Sequence, residues 1–217
     1  MKTQPKAPAA TLDGRAERSA RTRAAIAAAV YELVRARGEM PSVAEVAARA
    51  RVGERTVFRQ FNDLEALAQS VHERLFPEVM ALGRPSPPSG DLEADLRGLV
   101  ARRARVFEHV APFRRAARAH RERSPFMSEQ DAAMASLMRA SVESVVTPHL
   151  DSEDRDLVEV IDVLLSFESW DRLRSVQRLD AAHAERALLT GALALVSRAR
   201  LPRGVAVARR PERSATS

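Results

Sequence analysis

The stretch PSVAEVAARARVGERTVFRQF, residues 41–61, decides what this sequence is expected to form. Ser42 is followed three residues later by Glu45, which is the spacing of a capping box. In that motif each side chain binds a backbone N–H that the first helical turn leaves without a partner. The apolar positions that follow recur on one helix face. We therefore predict a helix over about 42–50.

A turn and a second short helix complete this stretch. RVG at 51–53 contains a glycine suited to a tight turn, and ERTVFRQF at 54–61 predicts a helix with Val57 and Phe61 facing inward. Two short helices joined in this way form a helix-turn-helix, whose second helix can lie in the major groove of DNA. Any small helical hairpin also buries alternate residues, so the pattern alone leaves both interpretations open.

The rest of the chain also has helical patterning. Aromatic residues make up only 4% of the 217 residues, and alanine and arginine recur throughout, which favours helix over sheet. Gly38 is placed to take the left-handed conformation after the first helix. We predict an all-α protein with helices at about 15–37, 42–50, 54–61, 63–80, 91–109, 111–122, 128–147, 153–174 and 180–199.

The net charge of +6 is concentrated at the two ends of the chain. Residues 1–23 hold six Lys or Arg and two acidic residues, and residues 201–217 hold four Arg and one Glu. A basic arm beside a nucleic-acid module adds sequence-independent attraction to phosphates. A solvating tail is the alternative, and we favour it for the C-terminal end.

Several classes of protein are disfavoured by what the sequence lacks. There is no cysteine, which excludes disulfides and thiolate chemistry, and no apolar run approaches the roughly 18 residues needed to cross a bilayer. The N-terminal segment lacks the apolar stretch of a secretory signal, so we expect a cytoplasmic protein. The five histidines show no metal-ligand spacing, and no phosphate-binding glycine loop or nucleophile elbow is present. We therefore expect no metal, no cofactor and no enzymatic activity.

From Arg21 to Leu67 the sequence resembles the DNA-binding domain of TetR-family transcriptional regulators. The resemblance runs through a first helix ending at Gly38, then SVAEVAARA, a turn, TVFRQF and DLEAL. It implies that the start of the second helix contacts phosphate and that the third helix faces the bases or the backbone. The DNA-binding residues expected from this resemblance and from the outward positions of the third helix are Ser42, Glu54, Arg55, Thr56, Phe58, Arg59 and Gln60.

Four positions depart from the family pattern. Phe58 stands where the family usually has a tyrosine that touches phosphate, and Gln60 replaces the usual histidine. Arg51 stands where the family commonly has glycine, and Leu64 where a phosphate-binding lysine is frequent. Arg55 is the residue that we expect to read a base, because arginine can donate two parallel hydrogen bonds to a guanine edge.

The stretch GRPSPPSG at 83–90 is the clearest break in the helical pattern, since three prolines and two glycines cannot continue a helix. By the resemblance, the part beyond it binds a ligand and dimerises. The predicted domains are a disordered basic arm (1–14), a helix-turn-helix DNA-binding domain (15–62), a connecting helix (63–82), a helical ligand-binding and dimerisation domain (83–200) and a disordered tail (201–217).

The resemblance also implies a small-molecule pocket among residues 91–147 and a dimer interface in the last two long helices. Pattern alone favours packing within one chain for both sets of apolar residues. Eight arginines in 102–123 leave open an anionic ligand or a solvated helix face, of which we favour the second. The candidate pocket residues are Phe107, Phe113, Met134, Leu137 and Met138. The candidate interface residues are Leu157, Ile161, Leu164, Leu165, Leu189 and Leu193.

These features predict a sequence-specific DNA-binding transcriptional regulator. By the resemblance it is a homodimer on a palindromic site in double-stranded DNA, and a repressor that a small-molecule effector releases. Two alternatives stay open. One is a helical metabolite-binding protein or enzyme in which the helix-turn-helix is incidental, and the other is a nucleoid-type protein that binds DNA without sequence preference.

Overall fold

The computed structural model describes residues 10–60, 64–121, 123–150 and 156–199. Within these ranges the chain is all-α and contains no strand, which confirms the all-α part of the predicted fold. No helix among them is long and apolar enough to cross a membrane. The helices are α1 Ala10–Arg37, α2 Val43–Ala50, α3 Glu54–Gln60, α4 Leu64–Leu82, α5 Leu92–Arg121, α6 Pro125–Val146, α7 Asp156–Leu164, α8 Phe167–Asp171 and α9 Ala181–Ala199.

The first four helices lie close to where the sequence predicts them. Helix α1 begins at Ala10, inside the predicted arm 1–14, and ends at Arg37. Gly38 follows with φ of +69° and donates its N–H to Val34 (2.7 Å), which confirms its predicted role at the helix end. The rest of the predicted arm and the predicted tail 201–217 lie outside the described residues.

Helix α5 is one helix, where the sequence predicts two with a break near residue 110. Pro112 lies inside it, although an interior proline removes a hydrogen bond and costs about 3 kcal/mol. The buried side chains of Phe107 and Phe113 lie on both sides of the proline. Burying each side chain stabilises the fold by about 1.5–3 kcal/mol, so the two together offset the cost of the proline and keep the helix continuous.

Two other predicted boundaries are wrong because a serine begins a new helix. The predicted helix 153–174 is interrupted at Ser166, which is extended and accepts a hydrogen bond from the Ser169 N–H (3.2 Å), so that α8 begins there. Helix α8 continues into a π-helical turn. Helix α6 begins at Pro125, not at 128, because Ser124 accepts from the Met127 N–H (3.1 Å) and proline fits the first helical position.

The chain divides into two compact units. The first comprises the described residues of Met1–Ser86 and Ala101–Met138, and the second those of Pro87–Val100 and Arg139–Ser217. Residues 101–138, which the sequence assigns to the C-terminal domain, therefore group with the N-terminal helices. The core of the first unit includes Ile26, Val30, Val34, Val46, Val57 and Phe113. Fully buried side chains of the second unit include Leu96, Val142, Ile161 and Trp170.

Candidate functional site

The start of α2 is fixed by the predicted capping box. The Glu45 N–H donates to the Ser42 hydroxyl (3.3 Å), and the Ser42 N–H donates to the Glu45 carboxylate (2.9 Å). This backbone hydrogen bond, helped by the Arg37 side chain, lowers the pKa of Glu45 to about 2. The Ser42 hydroxyl also donates to Glu45 (2.8 Å), so it must turn away from the carboxylate before it can donate to phosphate.

The turn between α2 and α3 is a Schellman motif. The Val52 N–H donates to the Ala47 carbonyl (3.0 Å) and the Arg51 N–H to the Ala48 carbonyl (3.3 Å), which closes the end of α2. Arg51 has φ of 56° and ψ of 44°, the left-handed conformation that glycine adopts without strain. Arg51, which stands where the family pattern commonly has glycine, is therefore the residue of this turn that must adopt the left-handed conformation.

Helix α3 begins after Gly53, whose carbonyl accepts from the N–H groups of Thr56 (2.8 Å) and Val57 (3.3 Å). Val57 is buried in the same cluster as Val46 of α2 and Ile26 of α1. This inward side chain fixes which side of α3 faces the core. Phe61, the other predicted inward residue, lies outside the described residues.

Arginine side chains occupy the side of α3 opposite Val57. At 100° per residue, Arg55 and Arg59 each lie about 160° around the helix from Val57, and both are exposed. Among the described residues, no hydrogen bond or ion pair is formed by the guanidinium groups of Arg51, Arg55 or Arg59. Exposed guanidinium groups suit contact with phosphates and guanine edges, and we call Arg55 and Arg59 the arginine row.

The other predicted DNA-binding residues of α3 lie on the two flanks of this arginine row. Phe58 is 60% exposed and Glu54 is exposed on one flank, while Thr56 is half-buried on the other. Gln60 accepts a hydrogen bond from the Ser19 hydroxyl of α1 (3.2 Å). Gln60 therefore attaches the end of α3 to α1, a contact that neither the spacing nor the resemblance indicated.

The first unit also contains a mainly apolar cavity of about 200 Å³. Helices α1, α4, α5 and α6 contribute to its walls, so it extends beyond the predicted range 91–147. Four of the predicted pocket residues line it: Phe107, Phe113, Met134 and Met138. The fifth, Leu137, is not among the residues that line this cavity and is 53% exposed to solvent.

The charged side chains that line the cavity are paired with each other. Arg121 makes a two-pronged ion pair with Asp131, and the guanidinium of Arg114 lies 3.6 Å from the same carboxylate. Arg121 and Asp131 lie on different helices, so no helical spacing could have indicated the pair. The two arginines belong to the basic run 102–123, and neither points freely into solvent.

His72 lines the same cavity between two aromatic rings. Its ring stacks on Phe76 (5.2 Å between centroids) and meets the edge of Phe126 (5.3 Å). Burial lowers the pKa of His72 below its usual value of 6.5, so the ring is mainly neutral at pH 7. Sequence reasoning gave this histidine no role, because an isolated histidine in an apolar helix carries no distinctive spacing.

The predicted dimer residues are divided between core and surface. Ile161, Leu165 and Leu189 are buried within the chain and are core residues, which corrects their assignment to an intermolecular surface. Leu164 approaches to 3.0 Å from the point where a side chain on Gly191 would begin, so it packs against α9. Leu157 and Leu193 are half-buried. The apolar side chains of α7 that face solvent are Val160 and Val163, which are 48% and 70% exposed.

In the described parts of the chain, no group of three or more His, Asp or Glu residues could hold a metal ion. No protein-family model, no curated protein and no solved structure matches this chain. The functional inference therefore rests on its own residues, and membership of the TetR family stays a prediction.

Proposed function

We propose that this chain is a sequence-specific DNA-binding transcriptional regulator of the TetR type. In this proposal it acts in the cytoplasm as a homodimer and as a repressor that a small-molecule effector releases, and it is not an enzyme. The observation that carries the proposal is the exposed arginine row on α3. This row lies opposite the buried Val57 and follows the hydrogen-bonded turn at Arg51 and Val52. A helix held in this way can enter the major groove without rearranging.

In this proposal one arginine recognises a base and two others bind phosphates that position the helix on the duplex. In a helix-turn-helix the N-terminal residues of the second helix contact base edges. Arg55 is the second residue of α3, so we assign it to a guanine edge, with Arg51 and Arg59 on flanking phosphates. Phe58 supplies apolar contact to a thymine methyl group or to the sugar backbone.

A gel shift at near-physiological salt tests this assignment. The probes are the duplex upstream of the chain's own gene and a scrambled duplex of equal composition. We expect the native duplex to be bound at least 1,000-fold more tightly, the usual lower range for specific recognition. Arg55→Ala should cost about 1–3 kcal/mol and relax the preference at one base pair.

Arg105→Ala is the matched control, because Arg105 is an exposed arginine of α5 and its loss changes the net charge equally. It should leave sequence preference unchanged. If neither duplex shifts, the chain is a metabolite-binding protein or an enzyme instead. If both duplexes shift equally, it is a DNA-binding protein without sequence preference.

A further inference from the structure

The cavity of the first unit lies directly against the helix that supports α3. Val30 and Val34 of α1 line the cavity, and both belong to the same hydrophobic cluster as Val57 of α3. Phe113 of α5 also belongs to both. A molecule in the cavity therefore touches side chains that pack in the cluster anchoring α3.

A second connection joins the cavity to the region that follows α3. Glu65, in the first turn of α4, accepts from the Ser124 hydroxyl (2.5 Å) and from the Phe126 N–H (2.8 Å) at the start of α6. Phe126 is a cavity wall residue. Any shift of α6 around an occupant is thus passed to the N-terminal turn of α4, four positions after the last residue of α3.

The chemistry of the walls disfavours a charged occupant. The polar residues of the lining are His72, Arg114, Arg121, Gln130 and Asp131. Asp131 engages both guanidinium groups, as described above, and His72 is packed between aromatic rings. An entering carboxylate would have to compete with Asp131, and an entering ammonium group would meet two guanidinium groups. An uncharged molecule avoids both costs.

The volume limits the size of the occupant. An apolar cavity of about 150 Å³ in another protein accepts benzene. The cavity here, of about 200 Å³, has room for a molecule of roughly eight non-hydrogen atoms by the same scale.

We propose that this cavity binds a small, uncharged, apolar molecule of the size of a substituted benzene, and that its occupancy alters DNA binding through α1 and α4. The binding step stands independently, whereas the effect on DNA rests on the function proposed above. Because coupling between two sites is reciprocal, ligand and DNA must change each other's affinity by the same factor.

Calorimetry on the full chain without DNA tests the binding step. The probes are ethylbenzene, benzoate and benzylammonium, which have similar size and differ in charge. We expect ethylbenzene to bind at least tenfold more tightly than either ion. Equal or tighter binding of benzoate, or no binding of ethylbenzene, would overturn the proposal.

Two variants of α5 locate the site. Ala117 lines the cavity and is half-buried, whereas Ala119 is exposed on the same helix. Ala117→Phe should abolish ethylbenzene binding, and Ala119→Phe should preserve it, with circular dichroism confirming that both variants fold. If the two variants bind equally well, ethylbenzene sits elsewhere and the site is wrong.

A charge variant tests the selectivity without filling the cavity. Asp131→Asn leaves Arg114 and Arg121 without their shared carboxylate, so benzoate affinity should rise about tenfold while ethylbenzene affinity changes less than twofold. An unchanged benzoate affinity would mean that Asp131 does not exclude anions.

The DNA step uses the gel shift with and without ethylbenzene, and calorimetry with and without the native duplex. We expect ethylbenzene to weaken DNA binding at least fivefold, with an equal loss in its own affinity. A chain that binds ethylbenzene but no DNA refutes the proposed function alone. One that binds DNA but not ethylbenzene refutes the cavity proposal alone, and one that binds both without mutual effect refutes the coupling.

Discussion

Replacing Arg51 with glycine should stabilise the chain while weakening its attraction to DNA. The left-handed conformation at φ of 56° costs a non-glycine residue about 1–2 kcal/mol. Glycine removes that cost, but its greater freedom in the unfolded chain takes back roughly 0.5–1 kcal/mol. Both backbone hydrogen bonds of the turn are kept, because Arg51 and Val52 contribute only N–H groups. The net gain in the free energy of unfolding lies within limits of about 0–1.5 kcal/mol, and its centre is roughly 0.7 kcal/mol.

Arg51→Ala is the control, because it removes the same charge and keeps the strain. Urea unfolding followed by circular dichroism should rank the glycine variant above wild type and the alanine variant no higher than wild type. In the gel shift, both variants should reduce the salt dependence of DNA binding by about one counterion. If alanine stabilises as much as glycine, the gain comes from the lost charge, and the strain assigned to this turn is wrong.

Three further changes test other parts of the molecule. Trp170→Ala removes the largest fully buried side chain and should lower the free energy of unfolding by about 3–5 kcal/mol in urea. The pKa of Glu45 is about 2 when folded and 4.5 in the reference state, so its contribution to the free energy of unfolding is present above pH 4.5 and lost as the pH falls towards 2. Glu45→Gln should therefore make the free energy of unfolding less sensitive to acid between pH 4.5 and pH 2. Val163→Lys should reduce the mass measured by light scattering from that of a dimer to 23.9 kDa if the exposed side of α7 forms the interface.

The elements that sequence reasoning placed well are those fixed by neighbouring residues. Ser42 and Glu45 cap α2 at the expected position, and Gly38 ends α1 with the expected left-handed conformation. Each cap depends on side chains and backbone groups within four residues of one another, so the local sequence is enough to predict it. The inward position of Val57 follows in the same way from helical periodicity.

The boundaries that were wrong depend on competition between local preference and packing. Pro112 disfavours helix locally, yet α5 continues through it because Phe107 and Phe113 are buried on either side. At Ser166 the local preference prevails instead. Its side chain caps α8, so the helix is interrupted in a stretch whose apolar spacing predicts one continuous helix. The balance between these effects is a property of the packed core, which the local pattern does not contain.

The cavity was predicted only in part because it joins segments that are distant in sequence. Spacing and the resemblance indicated residues of α5 and α6, whereas the wall formed by Val30 and Val34 comes from α1. The ion pair between Arg121 and Asp131 also links two helices. It shows that at least one arginine of the basic run 102–123 is neutralised by a residue outside that run. A charge run can be interpreted only once the partner of each charge is known.

The shortness of α3 makes its orientation depend on the helices around it, which bears on the proposed function. A helix of seven residues has too few internal hydrogen bonds to be stable alone, so its orientation depends on tertiary contacts. These contacts include Val57 in the core cluster and the hydrogen bond of Gln60 with Ser19. Because Val30, Val34 and Phe113 belong to the same cluster and also face the cavity, a change in their packing reaches Val57 through contacting side chains. In the homodimer proposed above the effect would occur twice, and a small rotation of each α3 would misalign the two arginine rows that the proposal places on one duplex.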